Sequence, residues 1–421
     1  MKKIKLIYLV MVILFLLISL IGCKKSSNDK YTIKVLLSEM REHDAWTIAL
    51  HDWEAATGNT VDFMVIPYDD QLTKFPAMAK QNDLPDLIST TRLHQLYPDE
   101  FIDMSKIVDL SKFEKTAVKI VGKDYHSDKI TGLPFQFTIT NMYYNKDAFK
   151  KAGIEAPSVD DPWTWEELYK NAVVLQDSGA VKYGFACDPS RARYDNLMYA
   201  NGGSLVEKNG KDFVITVNSP QNIATLERFI EANNKVMPKA IWSGGTADNP
   251  GDYFKNGDVG IYLSGSWNYN NFVESIKAFD FGIMPTPKGS KGSSAIIGGT
   301  AVAIPKNGKN KEGAIAFVKW LYEDENFQTY LNNEKGLSSL KNVIYQPEDK
   351  KIEDDYIVLQ AEVKSITDAF MIDESSAWRK FLDNEYRDSI KLAVSGQITA
   401  KKALDSFAED LSEKSGWAIK K

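Results

Sequence analysis

The sequence predicts an α/β chain divided into two lobes. Strand-like and helix-like periods alternate from Tyr31 onward, the pattern of a parallel sheet with helices on its faces. Of the 421 residues, 399 follow a 22-residue apolar leader, more than one hydrophobic core organises well. Hydrophobic residues make up 43% of the chain, enough to fill two cores.

The elements follow in order. Tyr31 to Leu37 alternates and then turns apolar, which predicts a strand. Trp46, Ala49, Leu50 and Trp53 recur at helical spacing, and Gly58 stands just beyond them as a stop. Val61 to Ile66 alternates again. Asp70 to Gln81 has a helical pattern weakened by Pro76, and Leu87-Ile88 reads as a short buried strand. Thr164-Trp-Glu-Glu167 is a capping box opening a helix to about Gln176. Ser219-Pro220 supplies an N-cap followed by proline at the first helical position. Val259 to Leu263, Phe281 to Met284 and Ile296 to Ile304 predict strands, and Glu312 to Leu321 a helix. Lys288 to Ser294 reads as a flexible exposed loop. From Asp354 onward the pattern is wholly helical, including Ala377 to Val394 and Ala400 to Ser412.

The leader carries its own message. Lys2, Lys3 and Lys5 precede the apolar run Leu6 to Ile21, which ends in Leu20-Ile21-Gly22-Cys23. The run is about 16 residues, short of the ~20 that span a bilayer. A basic head, an apolar run and a cut site make a secretory signal peptide. A cysteine directly after the cut resembles the lipobox of bacterial lipoproteins, which implies lipidation of Cys23. Lys24 to Lys30 would be the tether. The expected location is the extracellular face of the bacterial cell membrane. Removing residues 1–22 takes three lysines from a net charge of −6 and leaves −9. That balance argues against nucleic acid as a partner. With Cys23 acylated, Cys187 has no disulfide partner and reads as a small buried apolar residue.

Several segments together resemble family 1 extracellular solute-binding proteins, the maltose-binding-protein-like sugar-binding lipoproteins of bacterial ABC transporters. They are Asn141 to Ile154 with Pro157 and Trp163 to Leu168, then Phe254 to Trp267, then Met284 to Gly289 with Gly298-Gly299 and Ala314 to Leu321, and lastly Ala377-Trp378, Ser395-Gly396 and Ala400 to Leu404. Their order covers essentially the whole mature chain. The resemblance implies a two-lobed periplasmic-binding-protein fold of class II type, with the ligand in a cleft that closes by hinge bending. It implies lobe one over 31–136 plus 299–335 and lobe two over 137–298 plus 336–421. Leu133 to Gln136 and Ile297 to Gly299 would be the crossing strands. It also implies a sugar ligand, a permease partner, no cofactor, no resident metal and no catalytic step. A monomer is expected.

Sugars offer flat C–H faces and rims of hydroxyls, so stacking rings and paired polar groups are the residues to seek. Trp267 follows a strand through Ser264-Gly265-Ser266 and is expected to stack on a sugar face, and the resemblance implies Trp378, in Ser375-Ser376-Ala377-Trp378-Arg379, as a second stacking ring. Trp242 lies in a glycine-rich loop and is a third candidate. Glu39 and Arg41 follow the first strand, Tyr68 the second and Arg92 the third. Gln136 stands at the first crossing, Gly299 at the second could offer a backbone N–H, and Asn201 resembles a family loop near the ligand. Trp163, Trp165, Tyr143 and Tyr144 read as packing, and Trp46, Trp53 and Trp320 as core.

Rival readings have less support. The four histidines, His43, His51, His94 and His126, form no pair at metal spacing. No Gly-x-Ser-x-Gly elbow and no P-loop occur. Fifty-seven acidic residues always supply some carboxylate pair, so a carbohydrate-active lyase or hydrolase stays as an alternative without a located dyad. A receptor for a polyamine, peptide or metal is the other alternative, because the scaffold restricts the ligand less than the cleft does.

Overall fold

The computed structural model describes residues 30–41, 43–127, 129–242, 248–382 and 384–420. The leader, Cys23 and all of the tether except Lys30 lie outside them, as does the glycine-rich stretch 243–247. Among the described residues, no helix is long and apolar enough to cross a membrane.

Thirteen strands are described. They are β1 (Thr32–Leu37), β2 (Thr60–Val65), β3 (Leu87–Thr90), β4 (Leu133–Asn145), β5 (Tyr183–Cys187), β6 (Val206–Asn209), β7 (Asp212–Ile215), β8 (Val259–Gly265), β9 (Phe281–Met284), β10 (Lys288–Gly289), β11 (Gly292–Ser293), β12 (Ile297–Ala303) and β13 (Ala418–Ile419). Eight of them join in the order β2-β1-β3-β12-β4-β8-β5, with β9 also on β4.

Lobe one is built on β1, β2 and β3, which run parallel. The helix Ala45–Thr57 buries Trp46, Ala49, Leu50 and Trp53, the four residues of its helical repeat. It ends at Gly58, whose φ of 69° is the left-handed conformation a helix stop favours. Trp46 stacks on Phe135 with ring centroids 3.9 Å apart, which ties this helix to the crossing strand β4. The helix Tyr68–Lys80 contains Pro76 and still runs on both sides of it.

Lobe two is built on β8 and β5, which run parallel, with β4 antiparallel to β8 and β9 antiparallel to β4 on its other edge. The capping box forms at the start of the helix Trp165–Asp177, with Thr164 and Glu167 each satisfying the other's backbone N–H. Ser219 caps the helix Pro220–Val236 with proline at its first position. Cys187 is buried and free, and burial pushes its thiol well above the usual range. Tyr143 is fully buried and donates to the Gly265 carbonyl at 3.0 Å.

The two lobes share β4 and β12. The first residues of β4 pair with β12 (Pro134 opposite Ala301, Gln136 opposite Thr300), and the later ones pair with β8 (Thr140 opposite Gly265). The register slips between Thr300 and Ala301. A third segment follows the helix Asp324–Glu334 and runs along the first crossing. Leu337 bridges Phe137, Leu340 bridges Phe113, and Ser339 donates to the Pro134 carbonyl at 2.6 Å. Residues 336–341 therefore pack on lobe one.

Three expectations need correction. Lys288 to Ser294 is no loose loop: β10 and β11 form a half-buried hairpin, and Lys291 donates its backbone N–H to Ala200. Ala377 to Val394 is not one helix. The helix Asp368–Ser376 stops at Ala377 with φ 53°, a short turn over Trp378–Lys380 follows, and a new helix runs over Asn384–Val394. The C-terminal region is not wholly helical, because β13 pairs in parallel with β7.

Candidate ligand-binding cleft

Strand direction locates the cleft. β12 runs antiparallel to β3 with Ala301 opposite Thr90, so the carboxyl ends of β1, β2 and β3 point toward Thr300 and the crossing. β8 runs antiparallel to β4 with Gly265 opposite Thr140, so its carboxyl end points toward the same crossing from lobe two. Ligands bind open α/β sheets outside the carboxyl ends of their strands. Here both such edges face each other over β4 and β12.

The floor comes from the crossing strands. Gln136, Thr138 and Thr140 are spaced by two and share one face of β4. Gln136 accepts from Thr300 Oγ1 at 3.0 Å and donates to Glu334 Oε1 at 2.7 Å. Gly299 lies beside it at φ 156°, and a Cβ there would stand 2.2 Å from the Gln136 carbonyl oxygen, so only glycine lets the two strands approach this closely.

The wall from lobe two carries Trp267, whose ring is 40% exposed. Ser266 beside it accepts from the Ile139 N–H at 3.2 Å, which anchors the loop to β4. The Arg193 guanidinium lies 5.5 Å from the Trp267 ring centroid. Asp188 holds Arg193 from the other side, 3.3 Å from its Nε, and Thr140 contacts it at 3.5 Å. The result is a half-open indole face beside a buried cation and two threonines.

The wall from lobe one carries Tyr68 and Arg92. Tyr68 is 40% exposed, and the Arg92 guanidinium stacks 4.2 Å from its ring centroid. Arg92 is itself buried, donates to the Tyr68 carbonyl at 3.3 Å and reaches Asn384 Oδ1 of lobe two at 3.1 Å. A second bridge between the lobes runs from Arg379 to the Tyr125 hydroxyl at 3.2 Å. Glu39 and Arg41 form an exposed ion pair at 2.7 Å after β1.

The structure does not bring every expected residue here. Trp378 has no exposed surface and is packed between the Arg191 guanidinium and the rings of Tyr386 and Phe407, so it presents no face to a ligand. Trp242 is buried and meets Phe229 edge-on. Asn201 ends the helix Arg191–Ala200, whose first residues stand at the cleft edge after β5. Ten residues at ~1.5 Å each carry it about 15 Å away. Its side chain there accepts from the Ser290 N–H at 3.2 Å, and Gln221 donates to its carbonyl.

Other residues reach the cleft without a sequence signal that singled them out. Asp44 precedes the helix Ala45–Thr57. Burial pushes its carboxyl up and the Glu39 charge adds to this; Arg41 pulls it down. Glu334 ends the helix Asp324–Glu334. Burial first, and the Asp44 charge second, push its carboxyl up to about 8. A cavity of about 360 Å³ also spans the lobes, lined by Lys119, Lys123, Asp124, Tyr125, His126 and Glu374 among others. None of Tyr68, Arg92, Gln136 or Trp267 lines it. No group of three or more His, Cys, Asp or Glu among the described residues is placed to hold a metal ion.

The raised carboxyls set a pH dependence. Glu334 titrates near 8 in the fold, and Glu362 and Asp373 near 7, each chiefly through burial. Unfolded, all three titrate near 4 to 4.5. Between those limits the folded state binds more protons, so stability is highest below the unfolded values and is lost as pH rises toward 8. Denaturant titrations of the unliganded protein should give a midpoint at pH 8 below that at pH 5. Glu334→Gln should flatten the difference, and a wild-type midpoint that rises with pH would contradict the assignment.

Comparison with known proteins places this geometry in context. The family profile described as "Bacterial extracellular solute-binding protein" matches residues 38–326. The sn-glycerol-3-phosphate-binding periplasmic protein UgpB of Escherichia coli strain K12 is 33% identical over 218 residues, 48% of each chain. The chain thus spans about half the length of the curated relatives it matches. Among solved structures, the ABC substrate-binding protein Lmo0181 of Listeria monocytogenes, in complex with cycloalternan, superposes with a TM-score of 0.77 at 22% identity, covering 92% of this chain and 100% of that one. The GacH receptor of Streptomyces glaucescens, solved unliganded and with acarbose, superposes with a TM-score of 0.75 at 18% identity, covering 93% and 100%. At these identities the superpositions establish the two-lobed fold.

Proposed function

Because the chain belongs to the bacterial extracellular solute-binding proteins, we propose that it is an ABC-importer receptor that captures a sugar or oligosaccharide between its lobes and delivers it to a permease. The observation that carries the sugar reading is the half-exposed Trp267 ring at the carboxyl end of β8, beside Arg193 and the polar face of β4. An indole face stacks on sugar C–H groups, and Gln136 on the adjoining floor supplies an amide for hydroxyl partners. Cycloalternan and acarbose in the structural neighbours support the same class of ligand. The lipobox at Cys23 and the tether after it would hold the receptor at the outer face of the membrane, acting as a monomer. The receptor performs no reaction; its work is capture, closure and release.

A second reading, a small phosphorylated polyol, is favoured by the name of the curated relatives. Thermal shift separates the two. A panel of mono- and oligosaccharides should raise the melting temperature for one or a few members, by mass action on the folded state. A flat response to every sugar, with a clear shift from glycerol-3-phosphate, spermidine or a peptide, would remove the carbohydrate reading.

A further inference from the structure

The Trp267 ring rests on a residue that has no side chain. A Cβ built on Gly265 would stand 1.8 Å from Cζ3 of that ring, and 2.3 and 2.4 Å from the flanking carbons Cε3 and Cη2. A Cβ approaching the rim in the ring plane would stand farther from the flanking carbons, so this one would lie on the ring's face, over Cζ3. Non-bonded carbons need about 3.5–4.0 Å, so an alanine here would displace the ring by about 2 Å. What yields depends on how each partner is held. Gly265 ends β8 opposite Thr140 of β4, and its carbonyl accepts from the fully buried Tyr143 hydroxyl at 3.0 Å. Ser266, next in the chain, accepts the Ile139 N–H at 3.2 Å. The backbone is thus pinned on both sides of the peptide, whereas the half-exposed ring turns about two side-chain torsions. Gly265 itself is extended, with φ −148° and ψ 167°, a conformation that alanine adopts without strain. Close approach of the indole, not backbone freedom, is what requires glycine there.

We propose that Gly265 is a positioning residue for ligand stacking: its missing Cβ seats the Trp267 ring at the deepest place in the lobe-two wall and so sets the width of the cleft on that side. The proposal rests on the stacking reading of Trp267 above and adds the group that decides where the ring stands. Gly265 acts through the ring and not through contact with the ligand. Arg193, held by Asp188 at 3.3 Å, lies 5.5 Å from the ring centroid and braces it in that place. A methyl group at position 265 would move the indole off its seat and into the space that a ligand needs, with the strand beneath unchanged.

The test compares the wild-type mature chain with Gly265→Ala, Trp267→Ala and the double variant. The first measurement needs no ligand. Acrylamide quenching of tryptophan fluorescence, taken as the difference between proteins with and without Trp267, isolates this one ring. In Gly265→Ala the ring should be quenched more readily, while the unliganded melting temperature stays within about 2 °C of wild type. The second measurement is affinity. Thermal shift against maltose, mannotriose, acarbose, ribitol and sn-glycerol-3-phosphate selects the probe, and calorimetry follows it through the four proteins. Gly265→Ala should weaken binding by about threefold or more, but by less than about twofold once Trp267 is absent, because the two positions act as one. Equal losses in both backgrounds would mean that Gly265 acts on its own. Unchanged affinity in Gly265→Ala, with Trp267→Ala weakened, would mean that the place of the ring does not matter. Either result overturns the proposal and leaves the receptor reading standing. Unfolding of Gly265→Ala, or quenching of Trp267 that does not change, also overturns it, since the ring would then not be the part that yields. If Trp267→Ala binds the probe as the wild type does, the stacking reading fails and takes the role of Gly265 in binding with it.

Discussion

Replacing Trp378 with alanine should cost the fold about 3–5 kcal/mol, the range for deleting a fully buried aromatic ring. The ring has no exposed surface, and three neighbours depend on it. Tyr386 and Phe407 meet it edge-on with centroids 5.7 and 5.9 Å away, and the Arg191 guanidinium lies 4.8 Å from its centre. Arg191 in turn is bonded to the buried Asp195 at 2.5 Å. Removing the ring therefore opens a cavity and strips one face from a buried ion pair, and neither loss can be repaired by water without disturbing the pair. Chemical denaturation of Trp378→Ala should show the drop directly, with any surviving folded protein binding ligand normally. A variant that keeps its stability but loses its ligand would reverse the assignment and put Trp378 in the cleft.

Trp267→Ala should show the opposite signature. The ring is 40% exposed and leans on Gly265 and Arg193, so the unliganded fold should lose under about 1 kcal/mol. Sugar binding should weaken by about 1–3 kcal/mol, the contribution of a large apolar face buried against a ligand. In dissociation constants this is roughly five- to 150-fold. Trp267→Phe should recover part of the loss, because a flat ring remains. Isothermal calorimetry on the sugar selected by thermal shift measures it. Unchanged affinity in Trp267→Ala would mean that this ring does not stack on the ligand.

These two tryptophans also show what the sequence could and could not reveal. Both stand within two residues of a serine-bearing run, and both read as candidate stacking rings. Local pattern cannot separate them, because exposure is decided by what packs over each ring from far along the chain. Phe407 reaches Trp378 from the C-terminal helix Ala400–Ser415, whereas Trp267 has the crossing strand and the open cleft beside it. The strands, the capping box and the crossing glycines were legible because each is a local or short-period signal. The break at Ala377 was not, since alanine in the left-handed conformation carries no sequence mark. Glu334 was not, since a carboxylate carries no local mark of burial, although it falls on the same helix face as Phe327, Tyr330 and Leu331, which docks on Ala45–Thr57. Arg92 directly follows β3 and Gln136 stands at the crossing of β4 with β12, the positions in the fold that their places in the sequence suggest. Trp242 is likewise covered by distant packing, on Phe229, whereas Asn201 is half-buried at the far end of its helix.

The pairing of β4 with β12 bears on how the receptor moves. Two strands joined edge to edge act as a ribbon, and a ribbon bends readily across its flat face while resisting shear and in-plane rotation, because either would break the ladder between Thr138, Gly298 and their neighbours. The slip between Thr300 and Ala301, next to Gly299, marks where that ribbon creases most easily. Opening is thereby confined to nearly one coordinate, so the lobes return to the same alignment after each excursion and the recognition geometry is not searched anew at every encounter.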